Sequence, residues 1–597
     1  MALPNNLMKS GSPKTYGNMD ITTINGRLLK KTVVYCKTTS TIHKSADHGI
    51  IRRSANYGPP LWSHDFIQSI SSIYKGEIYE DKAAKLKEEV MMLLEKNETP
   101  LEKLELIDNV QRLGISYHFD TKLDNILNLL YNHTDWLTES NLHETSLKFR
   151  LFRQRGYDVP QEVFDKFKDK NGDFSEALHG DTKGLLSLYE ATFHGFEGES
   201  TLDEARRFAL KYLNTNVMNT NDLYLEMLVR HALELPLHWT MQRFEARWFI
   251  DAYGMQAHAN DTLLDFAKLD FNMVQAIHQE ELKHVSRWWQ DLKWNEHLPF
   301  VRDRTVESYS WVMGQCHEPH IEYSEYRILA SRFIHLTTTF DDIYDIYGTL
   351  DELELFTNAI ERWDVNLVEQ LPDYMKICFL GNFNSINELG YRTLQEGVHA
   401  IPYLKKVWTD ICKSFLKEAR WFHNGNVPTT FKEFLDNGWI SIGIPLVSAH
   451  TYFLIANPQT SPITKIGLDA IENYHDIIKW PSVIGRLSND LATSKNEIMR
   501  GDAIKSVQSY MQETNSSTND ANEHVKDLIE KAWKKINTAR ASSNCPFSKR
   551  FMDITINHAR VAQYVYQYGD GFGHDIFGKN KNRTSLLLFE PIPLSLN

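Results

Sequence analysis

The sequence predicts an all-α protein, on three observations. Apolar residues recur at helical spacing: Leu101, Leu104, Ile107 and Val110 form one stripe, and similar periodicity runs through 122–140, 203–231 and 353–370. Helix ends are signposted. Thr99-Pro100-Leu101-Glu102 reads as a capping box with proline at the first helical position, and Gly114 follows Leu113 as a stop. No series of hairpins, no alternation of strands with helices and no repeat of solenoid period stands out.

The 597 residues are enough for four domains at about 150 residues each, or for two larger ones. A soft boundary falls within 260–275, because the chemical motifs lie after it; it is placed between 268 and 269. The polar stretch Gln512–His524 reads as a loop or lid. Trp439–Ala456 lacks any Asp, Glu, Lys or Arg but is interrupted at Gly443 and Pro445, so it predicts a buried broken helix rather than a membrane span. A mean hydropathy of −0.42 agrees.

Net charge is −13, which disfavours broad binding to nucleic acid or anionic membrane but leaves room for an anionic substrate held by local bases or metal. The five cysteines (Cys36, Cys316, Cys378, Cys412, Cys545) are scattered and form no CxxC pair, which argues against a disulfide framework or structural zinc. Residues 1–51 carry eleven Ser/Thr and seven Lys/Arg against Asp20 and Asp47, the composition of an organelle transit peptide.

The chemistry concentrates in two motifs. In Phe340-Asp341-Asp342-Ile343-Tyr344-Asp345, an α-helix would place Asp341 and Asp345 on one face, about 6 Å apart along the axis, with Asp342 beside them. Three carboxylates so close repel one another unless hard divalent cations neutralise them; a solvated acidic face is the alternative. In Ser488-Asn489-Asp490-Leu-Ala-Thr493-Ser-Lys-Asn-Glu497, the residues Asn489, Thr493 and Glu497 lie at i, i+4 and i+8. An amide oxygen, a hydroxyl and a carboxylate on one stripe suit Mg²⁺ completed by water and phosphate. Arg302 and Arg304 lie just under 40 residues before the aspartates, Arg486 one turn before Asn489, and Lys505 after the second motif. Such bases suit diphosphate oxygens.

With these residues the chain resembles a plant class I terpene synthase of the angiosperm monoterpene type. Further marks are Arg52-Arg53 followed by Trp62, and Tyr566-Gln-Tyr568-Gly-Asp570-Gly571. The resemblance covers roughly residues 52 to 597. It implies an inert N-terminal α-barrel-like domain (52–268) and a C-terminal catalytic class I terpenoid synthase α-bundle (269–597). It implies three Mg²⁺, or Mn²⁺ in their place, on Asp341, Asp342, Asp345, Asn489, Thr493 and Glu497. Arg302, Arg304, Arg486 and Lys505 are expected at the diphosphate, and Arg52, Arg53 and Trp62 in a lid. Trp311, Ile334, Tyr564, Phe572 and Ile442–Ile444 are expected to line a dry pocket, with Tyr568 and Asp570 as secondary proton acceptors.

The reaction implied is metal-triggered ionisation of geranyl diphosphate in the plastid stroma, by a monomer or homodimer with no nucleic-acid or membrane partner. Isoleucine at 334 cannot place a water, which favours a hydrocarbon over an alcohol. Gly485 lacks the aromatic that shrinks the pocket in isoprene-forming relatives. Alternatives are a monoterpene alcohol synthase, a sesquiterpene synthase using farnesyl diphosphate, a chain-elongating prenyltransferase and a non-catalytic helical scaffold. A protonation-driven cyclase would need a DxDD acid, and none occurs.

Overall fold

The fold was analysed in a computed structural model, which describes residues 52–594 apart from 55–56, 97, 134–140, 217–221, 426–427, 501–503 and 573–577, and the backbone alone for 494–500. The transit-like residues 1–51 lie outside the described residues.

Helices follow the periodicity. Pro100–Arg112 starts at the expected capping box: the Thr99 amide donates to Glu102 at 2.8 Å and the Glu102 amide to Thr99 Oγ1 at 3.3 Å. It stops at Gly114, whose φ of +77° suits glycine, and a Cβ there would stand 2.6 Å from Ala246 Cβ. Leu104, Ile107 and Val110 are buried. The region 203–231 is two helices, Ser200–Asn216 and Leu223–Glu234, and 353–370 is the helix Leu350–Arg362 followed by a 3₁₀ turn, Val365–Gln370. Among the described residues there is no strand, only two isolated bridges, and no helix is long and apolar enough to cross a membrane.

The helix Asp261–Leu292 runs unbroken through 268–269, so the chain has no linker where a boundary was expected. Its buried faces explain this. One packs against Glu77–Glu95 and Gln242–Tyr253, the other against Thr305–Gln315 and Ile321–Asp342, so a single helix belongs to both halves. Asn272, Gln275 and Gln279 on this helix are buried and donate to the carbonyls of Ile592, Leu587 and Leu588. Glu281 accepts two bonds of 2.7 Å from Arg327 and one of 2.6 Å from the Tyr309 hydroxyl. That buried cluster locks the registers of three helices, because an unpaired charge there would cost several kcal/mol (about 3–5).

The C-terminal half is organised around Asp476–Arg500, which packs on Lys549–Tyr566, Thr518–Ala541, Phe431–Ser441 and Ile444–Leu454. The break within 439–456 is real: Phe431–Ser441 ends, Gly443 turns at φ +81°, and Ile444–Leu454 begins with Pro445 in its first turn. The expected loop at 512–524 is a correction. Ser506–Thr514 and Thr518–Ala541 are helices, separated by a short turn at Asn515 (φ 54°). The polar residues belong to a second capping box, Ser517 with Asp520, and Ala521 and Val525 are buried behind them. The four described cysteines are free thiols; Cys36 lies outside the described residues.

Candidate active site

A cavity opens between Ile321–Asp342, Ile401–Asn424, the broken helix at 442–444, Asp476–Arg500 and Lys549–Tyr566. One end is charged. Asp341 and Asp345 face Asn489 and Thr493 across it, with Arg302, Arg486, Lys505, Arg53 and Asp570 around them. The rest of the lining is largely apolar and aromatic: Trp311, Ile334, Ile442, Ile444, Val447 and Phe572, with Tyr566 bonded to Asn489 at the charged end.

The aspartates are not on a regular α-helix. Ile321–Asp342 ends at Asp342, and Ile343–Tyr347 is a π-helical turn, so Asp345 sits on a widened coil. Asp342 is set apart from Asp341 by helical phase, since both end the regular helix. Asp341 and Asp345 line the cavity, whereas Asp342 is fully buried behind it. Asp342 accepts from the Arg302 amide at 2.9 Å and lies 2.8 Å from Arg302 Nε. Burial pushes its carboxyl up to about 6 despite that guanidinium. Asp342 is therefore placed to hold Arg302, not to face the cavity, which corrects its expected place among the metal ligands. Arg302 also donates to Asp341 at 2.6 Å.

On Asp476–Arg500, Asn489 and Thr493 face the cavity; the side chain of Glu497 lies outside those described. Arg486 donates to Asn489 Oδ1 and pairs at 2.9 Å with Asp490, a buried carboxylate that also accepts from the Ser506 amide. Gly438 makes room for this arginine, since a Cβ there would lie 2.9 Å from Arg486 Cδ.

Hard-oxygen donors fit a divalent cation here. Thr493 Oγ1 is buried and accepts or donates no hydrogen bond among the described residues. No three His, Cys, Asp or Glu side chains converge among those residues. Asp341, Asp345, Asn489 and Thr493 are the hard-oxygen groups that would hold Mg²⁺, which one or two carboxylates bind together with water and phosphate.

The wall between the two ends is chemically quiet. Thr337 and Thr338 donate to the carbonyls of Phe333 and Ile334, at 2.8 and 3.0 Å, and Ser441 donates to Glu418 at 2.6 Å. The two threonine protons are thus spent on the backbone, and Ser441 satisfies the Glu418 carboxylate, which also lines the cavity.

The tandem arginines cover one side. Arg52 is bidentate to Glu352 at 2.8 and 2.9 Å, donates to Tyr347 O at 3.1 Å, and lies over the rings of Tyr347 and Tyr374. Arg53 donates to Asp345 O at 3.0 Å and stacks on Phe422. Tyr57 reaches the cavity beneath Arg302.

Four other expectations are corrected. Tyr564 is buried between Phe244 and Arg583, away from the cavity, and Tyr568 lies beside Lys579. For Tyr564 the reason is helical phase, since His558, Ala562 and Tyr566 share one face and Tyr564 points elsewhere, while Tyr568 lies past the helix end at Tyr566. Arg304 is buried behind the cavity and donates to Phe572 O at 3.1 Å, so it holds that residue in place. Trp62 packs on Phe589 and serves as the root of the lid, not its cover. Sequence reasoning missed Tyr57, Phe415, Phe422, Asp490, His558 and Tyr566. The i, i+4 relation of His558 to Ala562 and Tyr566 could have revealed two of them; the Phe415/Phe422 stripe looks like ordinary core.

Two family models match the chain: the terpene synthase N-terminal domain at residues 61–233, and the terpene synthase family metal-binding domain at 290–535. The chain is 49% identical to (-)-alpha-terpineol synthase of Vitis vinifera, over 91% of each chain. It is 46% identical to the chloroplastic limonene synthase of Coffea arabica, over 91% of this chain and 90% of that one. Its fold matches a limonene synthase crystallised with 2-fluorolinalyl diphosphate (TM-score 0.87, 42% identity), over 91% of this chain and 100% of the other. It also matches an isoprene synthase of grey poplar holding three Mg²⁺ ions and dimethylallyl-S-thiolodiphosphate (TM-score 0.81, 42% identity), over 90% and 100%. Motifs, cavity and relatives agree: the chain belongs to the terpene synthase family, with the plant monoterpene synthases, and is a lyase acting on a prenyl diphosphate.

Proposed function

We propose that this enzyme ionises geranyl diphosphate with Mg²⁺ and closes or deprotonates the resulting cation to a monoterpene hydrocarbon, in plastids. The single observation that carries this is the two-ended cavity: oxygen ligands and bases at one end, an aromatic apolar chamber at the other. Asp341, Asp345, Asn489 and Thr493 are the residues that would hold the cations, with Glu497 on the same helical stripe. Metal bound there would stabilise charge developing on the departing diphosphate. Arg302, Arg486 and Lys505 are arranged to grip diphosphate oxygens. Arg53 and Tyr57 close over that end and exclude water, which would quench an allylic cation. Trp311, Tyr566 and Phe572 offer ring faces, which attract a cation without attacking it. The departing diphosphate, or Asp570 at the cavity edge, takes the final proton.

The chloroplastic names of several relatives support the plastid reading, and the acid-poor residues 1–51 suit it. The alcohol-forming relative from Vitis vinifera keeps a water-quenched product as the second reading. Purified chain incubated with geranyl diphosphate and Mg²⁺ should yield monoterpenes by gas chromatography–mass spectrometry, none with EDTA, and at least about 100-fold less after Asp341→Asn or Asp345→Asn. Product from farnesyl diphosphate alone would overturn the ten-carbon substrate.

A further inference from the structure

A histidine stands where a dry, cation-bearing pocket has least use for one. His558 is fully buried, lines the aromatic end of the cavity and projects from Lys549–Tyr566. Its Nδ1 accepts from the Trp311 indole at 3.1 Å, and the Gln315 side-chain nitrogen lies against the ring, 2.6 Å from Nδ1 and 2.8 Å from Nε2. Indole nitrogen has no acceptor capacity, so in this contact Nδ1 supplies the lone pair. Burial alone pushes the imidazole down to about 3, which keeps it neutral throughout the working range. Gln315 is itself fixed: its oxygen accepts from the Tyr326 hydroxyl at 2.9 Å, and its backbone carbonyl accepts from Asn557 at 2.8 Å. The clamp is therefore anchored on both sides.

Trp311 needs such a clamp. It stands among Tyr566, Phe572 and His558, with ring centroids 6.4, 6.2 and 6.4 Å away. A flat indole in an aromatic corner can tilt, and attraction between a cation and a ring depends on which face is presented. The indole N–H is the one directional handle on the ring.

We propose that His558 is a positioning residue for product selection: by accepting the Trp311 N–H it fixes the indole face against which the hydrocarbon cation folds. This rests on the reading of the cavity as a prenyl-cation chamber. Neutrality is part of the role, since an imidazolium would both lose the acceptor and repel the cation. The neighbouring fold tolerates no cheap substitute. An apolar residue at 558 leaves the indole N–H buried and unpaired, which drives the ring to another tilt.

The test is a double-mutant cycle on the full chain. His558→Leu should change the ratio of major to minor products by about five- to tenfold and lower kcat by a similar factor, with KM little changed. His558→Gln, which keeps an acceptor oxygen, should stay near the wild-type ratio. In a Trp311→Phe background, which has no N–H, His558→Leu should add nothing further. A second readout is independent of turnover. The ¹⁵N–¹H resonance of the Trp311 indole, identified by its loss in Trp311→Phe, should shift in His558→Leu and not in His558→Gln. The proposal is overturned if His558→Leu, melting like wild type, leaves ratio and resonance unchanged, or if it shifts the ratio as strongly without the indole N–H as with it. Should the leucine variant fail to fold, His558→Met supplies the same comparison. A wild-type chain inactive on geranyl diphosphate whose indole resonance still responds would sink the functional reading and leave the clamp standing.

Discussion

Replacing Arg52 by alanine removes the fastening of the lid. Arg52 makes two charged hydrogen bonds to Glu352, a third to Tyr347 O, and stacks on two tyrosine rings. A partly buried bidentate pair contributes roughly 1.5–3 kcal/mol and the ring contacts about 1 more. Near 3 kcal/mol in total, the open state of residues 52–54 should rise by about two powers of ten. The loss is local, because the segment carries no secondary structure and Glu352 keeps its separate place in the capping box of Leu350–Arg362. Trypsin reads this directly. The bond after Arg53 is protected while that side chain is held on Asp345 O and Phe422. Cleavage there should accelerate about 100-fold in Arg52→Ala, with the thermal midpoint shifted by no more than about 2 °C. Glu352→Gln, which can still cap the helix, should behave similarly. Unchanged cleavage after Arg53 would refute the view that Arg52 holds the lid. A large fall in midpoint would show instead that the contact belongs to the global fold.

Three further outcomes follow from particular contacts. A Cβ at Gly485 would stand 2.3 Å from Ile444 Cδ1, so Gly485→Ala should press Ile444 into the cavity. It should cost about 1–3 kcal/mol of stability, read by denaturant melts, and raise KM for geranyl diphosphate. Gly438→Ala should displace Arg486 and lower kcat/KM by roughly tenfold without loss of helix by circular dichroism. Glu190 is buried, and desolvation lifts its carboxyl to about 7 against the pull of Arg150 and Arg112. A raised acid favours the protonated fold, so its contribution is intact below about 4.5 and is lost as pH rises to about 7. Glu190→Gln, which can still accept from the Leu237 amide, should match wild type at pH 4 and be more stable at pH 8, by up to ~3 kcal/mol.

Much of this molecule was legible before any coordinates, for identifiable reasons. Capping boxes and helical stripes are local, so Thr99–Glu102 and the Gly443–Pro445 break could be read directly. Asp341, Asp345, Asn489, Arg486 and Lys505 converge on one cavity because helical spacing and hard-ligand chemistry restrict where they can go. What failed was tertiary. The π-turn that carries Asp345 leaves no trace in a run of apolar and acidic residues, and only packing decides that Asp342 turns inward. Tyr564 and Tyr566 differ only in helical phase, which two tyrosines flanking a valine do not reveal. The polar run at 512–524 looked like a loop because capping residues and turn residues are the same types. The boundary drawn at 268 falls within a helix buried on two sides, which carries no polar linker to mark it.

The anchoring of the lid has a consequence for the order in which the enzyme matures. Its root, Trp62 with Phe66, rests on Phe589, and Ile592 is held in turn by paired hydrogen bonds of 2.7 and 2.8 Å with Asn272. Residues among the first described thus seat on residues translated more than five hundred positions later. During synthesis the surfaces for Arg52 and Arg53, between Asp345 and Phe422, emerge first, whereas Trp62 and Phe66 have no ring to settle on until Phe589, just after Lys579–Leu588, has left the ribosome and docked. A nascent or C-terminally clipped chain would therefore hold its arginines in place while the root of the segment, Trp62 and Phe66, stayed loose.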